Sequence, residues 1–236
     1  MQRSAQHTAR VLVCATAAAL PVALVTGCSL GSSELSGADT KSATHSAPAS
    51  SPSGPASPSP APGRYAQLPR ACTAIPQRTV KAMVPKAKTA KGEATESSDT
   101  DARDNCSWNG LNGYQYRWLA VSLQRFDSVP GIGSAQAQAT KRYQDQVGEA
   151  QAAKGAGSEA TRGVGDQATT VTTKVTKDKN TYQEVTVVAH TGNAVVVIDY
   201  NGAGFEGAKT PAAADLRKDA VSAAKETVAA VAAANT

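Results

Sequence analysis

Aromatic residues make up only 4% of this 236-residue chain, and it holds just three histidines and four cysteines. His7 and His45 lie near the N-terminus, so His190 is the one histidine in the stretch whose composition suits a folded domain. That scarcity excludes a multi-histidine metal centre and leaves a Ser-His-acid triad a single candidate base. No Gly-x-Ser-x-Gly elbow accompanies it, and a histidine at a strand end beside a turn is expected to be exposed. A Lys/Arg-rich block is also missing. Basic residues between Lys81 and Lys91 are offset by Glu93, Glu96, Asp99, Asp101 and Asp104, so no nucleic-acid partner is expected. Asp99, Asp101 and Asp104 lack the glycine and distal glutamate of a calcium loop and read as a solvated charge run.

What is present begins with an export signal. Arg3 and Arg10 form a positive n-region, residues 11–24 an apolar h-region too short for a comfortable membrane span, and Val25-Thr26-Gly27-Cys28 a small-residue junction. The junction resembles a bacterial lipobox, which implies a diacylglyceryl thioether on Cys28 and cleavage after Gly27. Two acyl chains, at about 0.8 kcal/mol per buried methylene, anchor a protein stably where one does not. Removal of residues 1–27 takes two arginines and no acid, which lowers the formal charge from +5 to +3. Residues 28–63 then supply the lipidated cysteine and a tether dense in Ser, Pro, Ala and Gly, with too few bulky apolar side chains to offset ordering entropy. As a coil the tether spans about 35 Å.

Residues 64–236 read as one domain. Cys14 leaves with the signal and Cys28 carries lipid, so Cys72 and Cys106 remain as a pair, and in an exported domain such a pair is expected to form a disulfide. A short helix is expected over 77–84, ended by Pro85, and 86–104 reads as a polar loop. Alternation over 116–126 places Leu119, Val121 and Leu123 on one face of a strand, with Ser122 and Gln124 on the other. Cys106-Ser107-Trp108 belongs to the strand before it, and 109–113 to the turn between them. Ser134 is placed to cap a helix running to about 153, with Ala139, Tyr143 and Val147 on its apolar stripe. Three strands follow over 167–176, 181–190 and 194–200, and a last helix is expected with Thr210 as cap and Pro211 at its first position. The pattern predicts an α+β domain: an antiparallel sheet of about five strands packed against two or three helices, with one disulfide.

Candidate chemistry is sparse. Gly202, Gly204 and Gly207 match a GxGxxG pattern, but they follow a hairpin strand rather than a first parallel strand, so no dinucleotide or other cofactor is expected. No catalytic residue or metal site is assigned. Tyr114, Tyr116 and Trp118 gather in one hairpin, and alternation puts them on one face, opposite Leu119 and Val121, as a candidate contact surface or a second small core beneath the 86–104 loop.

Several motifs together carry a resemblance: the lipobox, the Ser/Pro tether, Leu68-Pro69-Arg70-Ala71-Cys72, Cys106-Ser107-Trp108, Gly163-Val164-Gly165-Asp166 and Gly192-Asn193-Ala194-Val195-Val196. The set resembles the actinobacterial lipoprotein family catalogued as domain of unknown function 3558, and more loosely the extracellular sensor domains of membrane kinases from the same bacteria. The resemblance implies an exported one-disulfide α+β domain without established activity. Related sequences follow Gly-x-Gly-Asp with Glu-Ala; here Gln167 stands in place of that acid, so no carboxylate role carries over, and the glycines are expected to serve a turn of positive φ. The expected function is a membrane-anchored, cell-surface binding or sensing module without catalysis. Its partners are the membrane through Cys28 and an envelope protein, a glycan or a small apolar ligand. The alternative is an envelope-acting hydrolase using His190.

Overall fold

A computed structural model describes residues 60–236 apart from Glu96. The expected signal peptide, Cys28 and all but the last few residues of the tether lie outside the described residues.

The chain opens with two short helices, α1 (Ala71–Ala74) and α2 (Gln77–Met83), the second stopping where Pro85 forbids another turn. Strands β1 (Glu93–Thr95), β2 (Arg103–Asn112) and β3 (Gln115–Arg125) follow. Helix α3 (Ala135–Gln151) starts at Ser134, whose hydroxyl accepts a hydrogen bond from the Ala137 amide at 3.1 Å. Then come β4 (Gly157–Ala160), β5 (Gln167–Lys177), β6 (Asn180–Thr191) and β7 (Ala194–Gly204), and the chain closes with α4 (Ala213–Ala233). All seven strands form one antiparallel sheet in the order β1-β2-β3-β7-β6-β5-β4. The α+β class and the antiparallel sheet agree with the sequence reading. The counts do not: the described residues form seven strands and four helices.

The two unforeseen strands, β1 and β4, are the sheet edges, and every residue in them is exposed. An edge strand with no buried face has no apolar alternation to betray it. The expected 86–104 loop therefore contains β1, and β2 runs on through 109–112, so the turn to β3 is only Gly113 and Tyr114, with Gly113 at φ 58°. The last helix also departs from expectation, because its cap is Ala212 with no side-chain hydrogen bond, and Thr210 and Pro211 precede it.

Period-two alternation sorts the strand residues onto two faces. The first face carries Leu119, Val121 and Leu123 of β3, Val185, Val187 and Ala189 of β6, and Val196, Ile198 and Tyr200 of β7, all buried. Leu216, Ala220, Ala223, Ala224 and Val231 of α4 join them in the main core, together with Ala71, Ile75 and Val80 from the first helices. Three of these five α4 residues are alanines, and their small side chains let the helix approach the sheet closely. Each large aliphatic side chain buried here contributes about 1.5–3 kcal/mol. Cys72 and Cys106 tie α1 to β2 across this face with their sulfurs at bonding distance, 2.00 Å. Asp104 reinforces the tie: it is buried, accepts from the Ala71 amide at 3.0 Å and pairs with Arg70 at 3.0 Å. It is thus a structural carboxylate and not part of a solvated run.

Among the described residues, α3 is the one helix that packs on the second face. Ala139 and Tyr143 pack on Val188, Val195 and Val197, with Val147 and Phe126 at the margin. Beside this small core the β6–β7 turn is clamped. Asn193 accepts from the Tyr65 amide at 2.7 Å and donates to the Tyr65 and Phe126 carbonyls at 3.0 and 2.7 Å, while Asp166 accepts from the Gly192 amide at 2.7 Å. Gly163 and Gly165, at φ 73° and 60°, make the bend that delivers Asp166, so the Gly-x-Gly-Asp segment serves a turn as expected. None of the described helices is long and apolar enough to cross a membrane.

Candidate functional site

The register lines up side chains across the second face in rows. One row runs Leu111, Tyr116, Ala203, Tyr182, Val175 over β2, β3, β7, β6 and β5. The next holds Asn109, Trp118, Asn201, Glu184 and Thr173, and the third Ser107, Ala120, Asp199, Thr186 and Val171. Only beyond this third row do Val197 and Val188 meet α3. Among the described residues, the first two rows lie clear of α3 and hold Tyr116, Trp118 and Tyr182 half-exposed, with Ala203 and Thr173 buried between their neighbours.

Tyr116 stacks on Phe205 with ring centroids 5.6 Å apart, and both meet Tyr182 edge-on at 6.2 Å. Offset and edge-on pairs satisfy the ring quadrupoles, so the cluster holds its own shape without a covering element. With Trp118, Val175, Lys177, Glu184 and Asn201, Tyr116 and Tyr182 line a shallow depression of about 280 Å³. Leu111 and Val175, at 49% and 40% exposure, extend the apolar strip toward the edges of the sheet. A ligand here meets ring faces for stacking, an amide, a carboxylate and an ammonium group.

The electrostatics follow from partial burial. The Tyr116 hydroxyl titrates above its ordinary value because the ring packing desolvates it, with Tyr182 adding to the effect. Asp199 lies deeper. Burial pushes its carboxyl upward, the hydrogen bond from the Thr186 hydroxyl at 2.6 Å opposes this, and Glu184 adds a further upward push. Glu184 itself accepts from the Thr173 hydroxyl at 3.0 Å.

The sequence had singled out Tyr114, Tyr116 and Trp118. Tyr116 and Trp118 do share the face opposite Leu119 and Val121, but Tyr114 sits in the β2–β3 turn at 59% exposure, outside the strand alternation. The fourth aromatic of that hairpin, Trp108, lies on the other face, buried under the main core and the turn before β1. Tyr182 and Phe205 completed the cluster unforeseen. Phe205 follows β7 directly and its amide donates to the Tyr114 carbonyl at 2.9 Å, a placement that needs the β3–β7 pairing to be known.

His190 is not at the surface as expected. It is 4% exposed beneath α3, with its Nε2 at 3.2 Å from the Gln136 amide nitrogen and 3.4 Å from the Thr140 hydroxyl. Burial holds its pKa below the ordinary imidazole value, against the opposing pull of the Asp166 carboxylate and a backbone hydrogen bond at Gly192. Its ring joins α3 to the sheet. Gly202 and Gly204 lie inside β7, where a Cβ at Gly204 would come 2.2 Å from the Ala208 carbonyl oxygen and one at Gly202 would come 2.9 Å from Pro211. These glycines admit the returning chain. Among the described residues, no group of three His, Cys, Asp or Glu side chains is placed to hold a metal ion. The chain matches no protein-family model, no curated protein and no solved structure.

Proposed function

We propose that this chain is a binding or sensing module without catalytic activity, held at the outer face of the membrane by lipid on Cys28, and that the bare half of the second sheet face is its contact surface. The observation that carries the reading is the Tyr116–Tyr182–Phe205 cluster, a half-exposed aromatic surface that lies clear of the small core under α3. Aromatic anchors ringed by polar groups are what recognition surfaces use, and conjoined exposed apolar side chains are uncommon on a surface with no partner. Glu184, Lys177 and Asn201 supply the hydrogen bonds that orient a partner. The lipobox and tether of the sequence support the location, and the resemblance to sensor-type domains supports the class. The partner is an envelope protein, a glycan or a small apolar ligand.

Two experiments test this. Metabolic labelling with a palmitate analogue is expected to mark the wild type and to spare Cys28→Ala; equal labelling removes the anchor. Retention of envelope components by the full-length chain is expected to include a component lost in the Tyr116→Ala, Trp118→Ala variant, provided the two proteins melt alike. Identical retention by both contradicts the contact surface.

A further inference from the structure

Where α2 ends and α4 begins, both helices meet the first face of the sheet around Arg117. The register sets this residue between Gly110 of β2 and Gly202 of β7. Neither glycine has room for a side chain. A Cβ at Gly110 would come 2.8 Å from the Pro85 carbonyl oxygen, and one at Gly202 would come 2.9 Å from the Pro211 ring and 3.0 Å from the Arg117 guanidinium. The chain leaving α2 therefore lies on one neighbour of Arg117 and the chain entering α4 on the other. Between them the guanidinium is held in place, donating to the Tyr116 carbonyl at 2.8 Å and to Gln115 Oε1 at 3.3 Å. A cavity of about 320 Å³, within the range of small-molecule sites, opens at this point. Ala82, Met83 and Pro85 line it from the α2 side and Pro211 and Leu216 from the α4 side. Tyr200 ties the two sides to the sheet, its hydroxyl donating to the Met83 carbonyl at 2.6 Å.

Asp215 and Asp219, one turn apart on α4, line the same cavity as Arg117. Among the described residues none of the three forms an ion pair, with each other or with any other group. Arg117 and Asp219 are both half-buried. Burial raises the Asp219 carboxyl above its ordinary value; Lys218 opposes this, Asp215 adds to it and Arg117 opposes it. A partly desolvated carboxylate beside a second one gains from an added cation, and a partly desolvated guanidinium without a carboxylate gains from an added anion. The two kinds of charge sit on different elements, β3 and α4, and they are held apart. A ligand that satisfies both must bring an anion and a cation of its own, and the apolar walls take its hydrocarbon part.

We infer that this cavity binds a free aliphatic α-amino acid, its carboxylate on Arg117, its ammonium on Asp219 and Asp215, and its side chain against Ala82, Pro85 and Pro211. The site lies on the opposite face of the sheet from the aromatic surface, and either can fail without the other. Titration calorimetry on the full-length chain is expected to show saturable binding of L-leucine. Leucine amide, which lacks the carboxylate, and 4-methylpentanoate, which lacks the ammonium, are each expected to bind at least tenfold more weakly. Arg117→Gln is expected to erase the preference for leucine over the amide, and Asp219→Asn the preference over 4-methylpentanoate. Ala82→Phe, which fills the cavity from an exposed position, is expected to abolish binding with the melting temperature unchanged. Absence of saturable leucine binding to the wild type, or binding that survives Ala82→Phe in a folded protein, overturns the site. Wild-type affinity for the amide or for 4-methylpentanoate equal to that for leucine overturns the amino-acid assignment, and needs no variant to be seen.

Discussion

On β6, Val188 and His190 lie buried under α3, while Tyr182 and Glu184 on the same strand and the same face look outward. On β7 the contrast repeats, with Val195 and Val197 covered and Asn201 uncovered. The backbone is continuous through both halves, so the difference lies in the cover and in the side chains matched to it. A helix is about 10 Å wide and an eleven-residue strand is about 36 Å long, so one helix crossing the strands leaves part of each bare. The other face is roofed by α1, α2 and the 21-residue α4. Where cover exists the sequence supplies valine and alanine; where it ends, tyrosine, tryptophan, asparagine and glutamate take over. A sheet face that needed only solubility would have no reason to place its aromatic rings there.

The largest expected effect lies outside both halves, on the opposite face of the sheet. Reducing the Cys72–Cys106 bridge, which closes a loop of sequence separation 34, is expected to cost roughly 4 kcal/mol in the chain-entropy model, read as a lower denaturant midpoint with an unchanged aromatic surface. Within the second face, Tyr143→Ala removes a buried ring and its hydroxyl contact to Thr169 at 2.6 Å, and is expected to cost about 3 kcal/mol. Tyr116→Ala, in the bare half, is expected to cost under about 1 kcal/mol. Similar losses for the two would mean that the bare half is a structural core after all.

A smaller effect separates the halves by pH. His190 has its pKa lowered by burial, so its unprotonated form is favoured in the folded state. The stability it contributes is complete above the ordinary imidazole value of 6.5 and is lost as pH falls from there through the lowered native value. His190→Gln is expected to flatten that part of the stability curve, as measured by melting between pH 7 and pH 5 (roughly the titration range of histidine). The smallest effect is at Asp199, whose pKa is raised, so ionisation costs the folded state stability as pH rises from the ordinary carboxyl value of 3.8 through the raised one. Asp199→Asn is expected to melt slightly higher than wild type at neutral pH and to lose that advantage in acid; a variant less stable at neutral pH would show that the Thr186 hydrogen bond outweighs the burial.

How far the sequence revealed this structure follows from what each segment buries. The β3 alternation of Leu119, Val121 and Leu123 was legible because one face is buried and periodic, and the start of α3 because Ser134 is a good cap. The edges β1 and β4 were not, having no buried face, and neither was the continuation of β7 through Gly202 and Gly204, since glycine suggests a loop unless a close backbone approach is known. Of the aromatic surface, Tyr116 and Trp118 were readable from local spacing alone. Tyr182 and Phe205 arrive through strand pairing between distant segments, and the burial of His190 depends on where α3 docks; local spacing holds no record of either.

The central claim is that the bare half of the second face is the surface this protein uses on a partner. In living cells, a photoreactive phenylalanine analogue placed at position 182, in the aromatic cluster, can be compared with one at Gln144, exposed on α3. Irradiation is expected to yield a discrete adduct from position 182 and none from position 144, and the adduct is expected to disappear when Trp118→Ala is added. No adduct from position 182, or the same adduct from both positions, would contradict the claim.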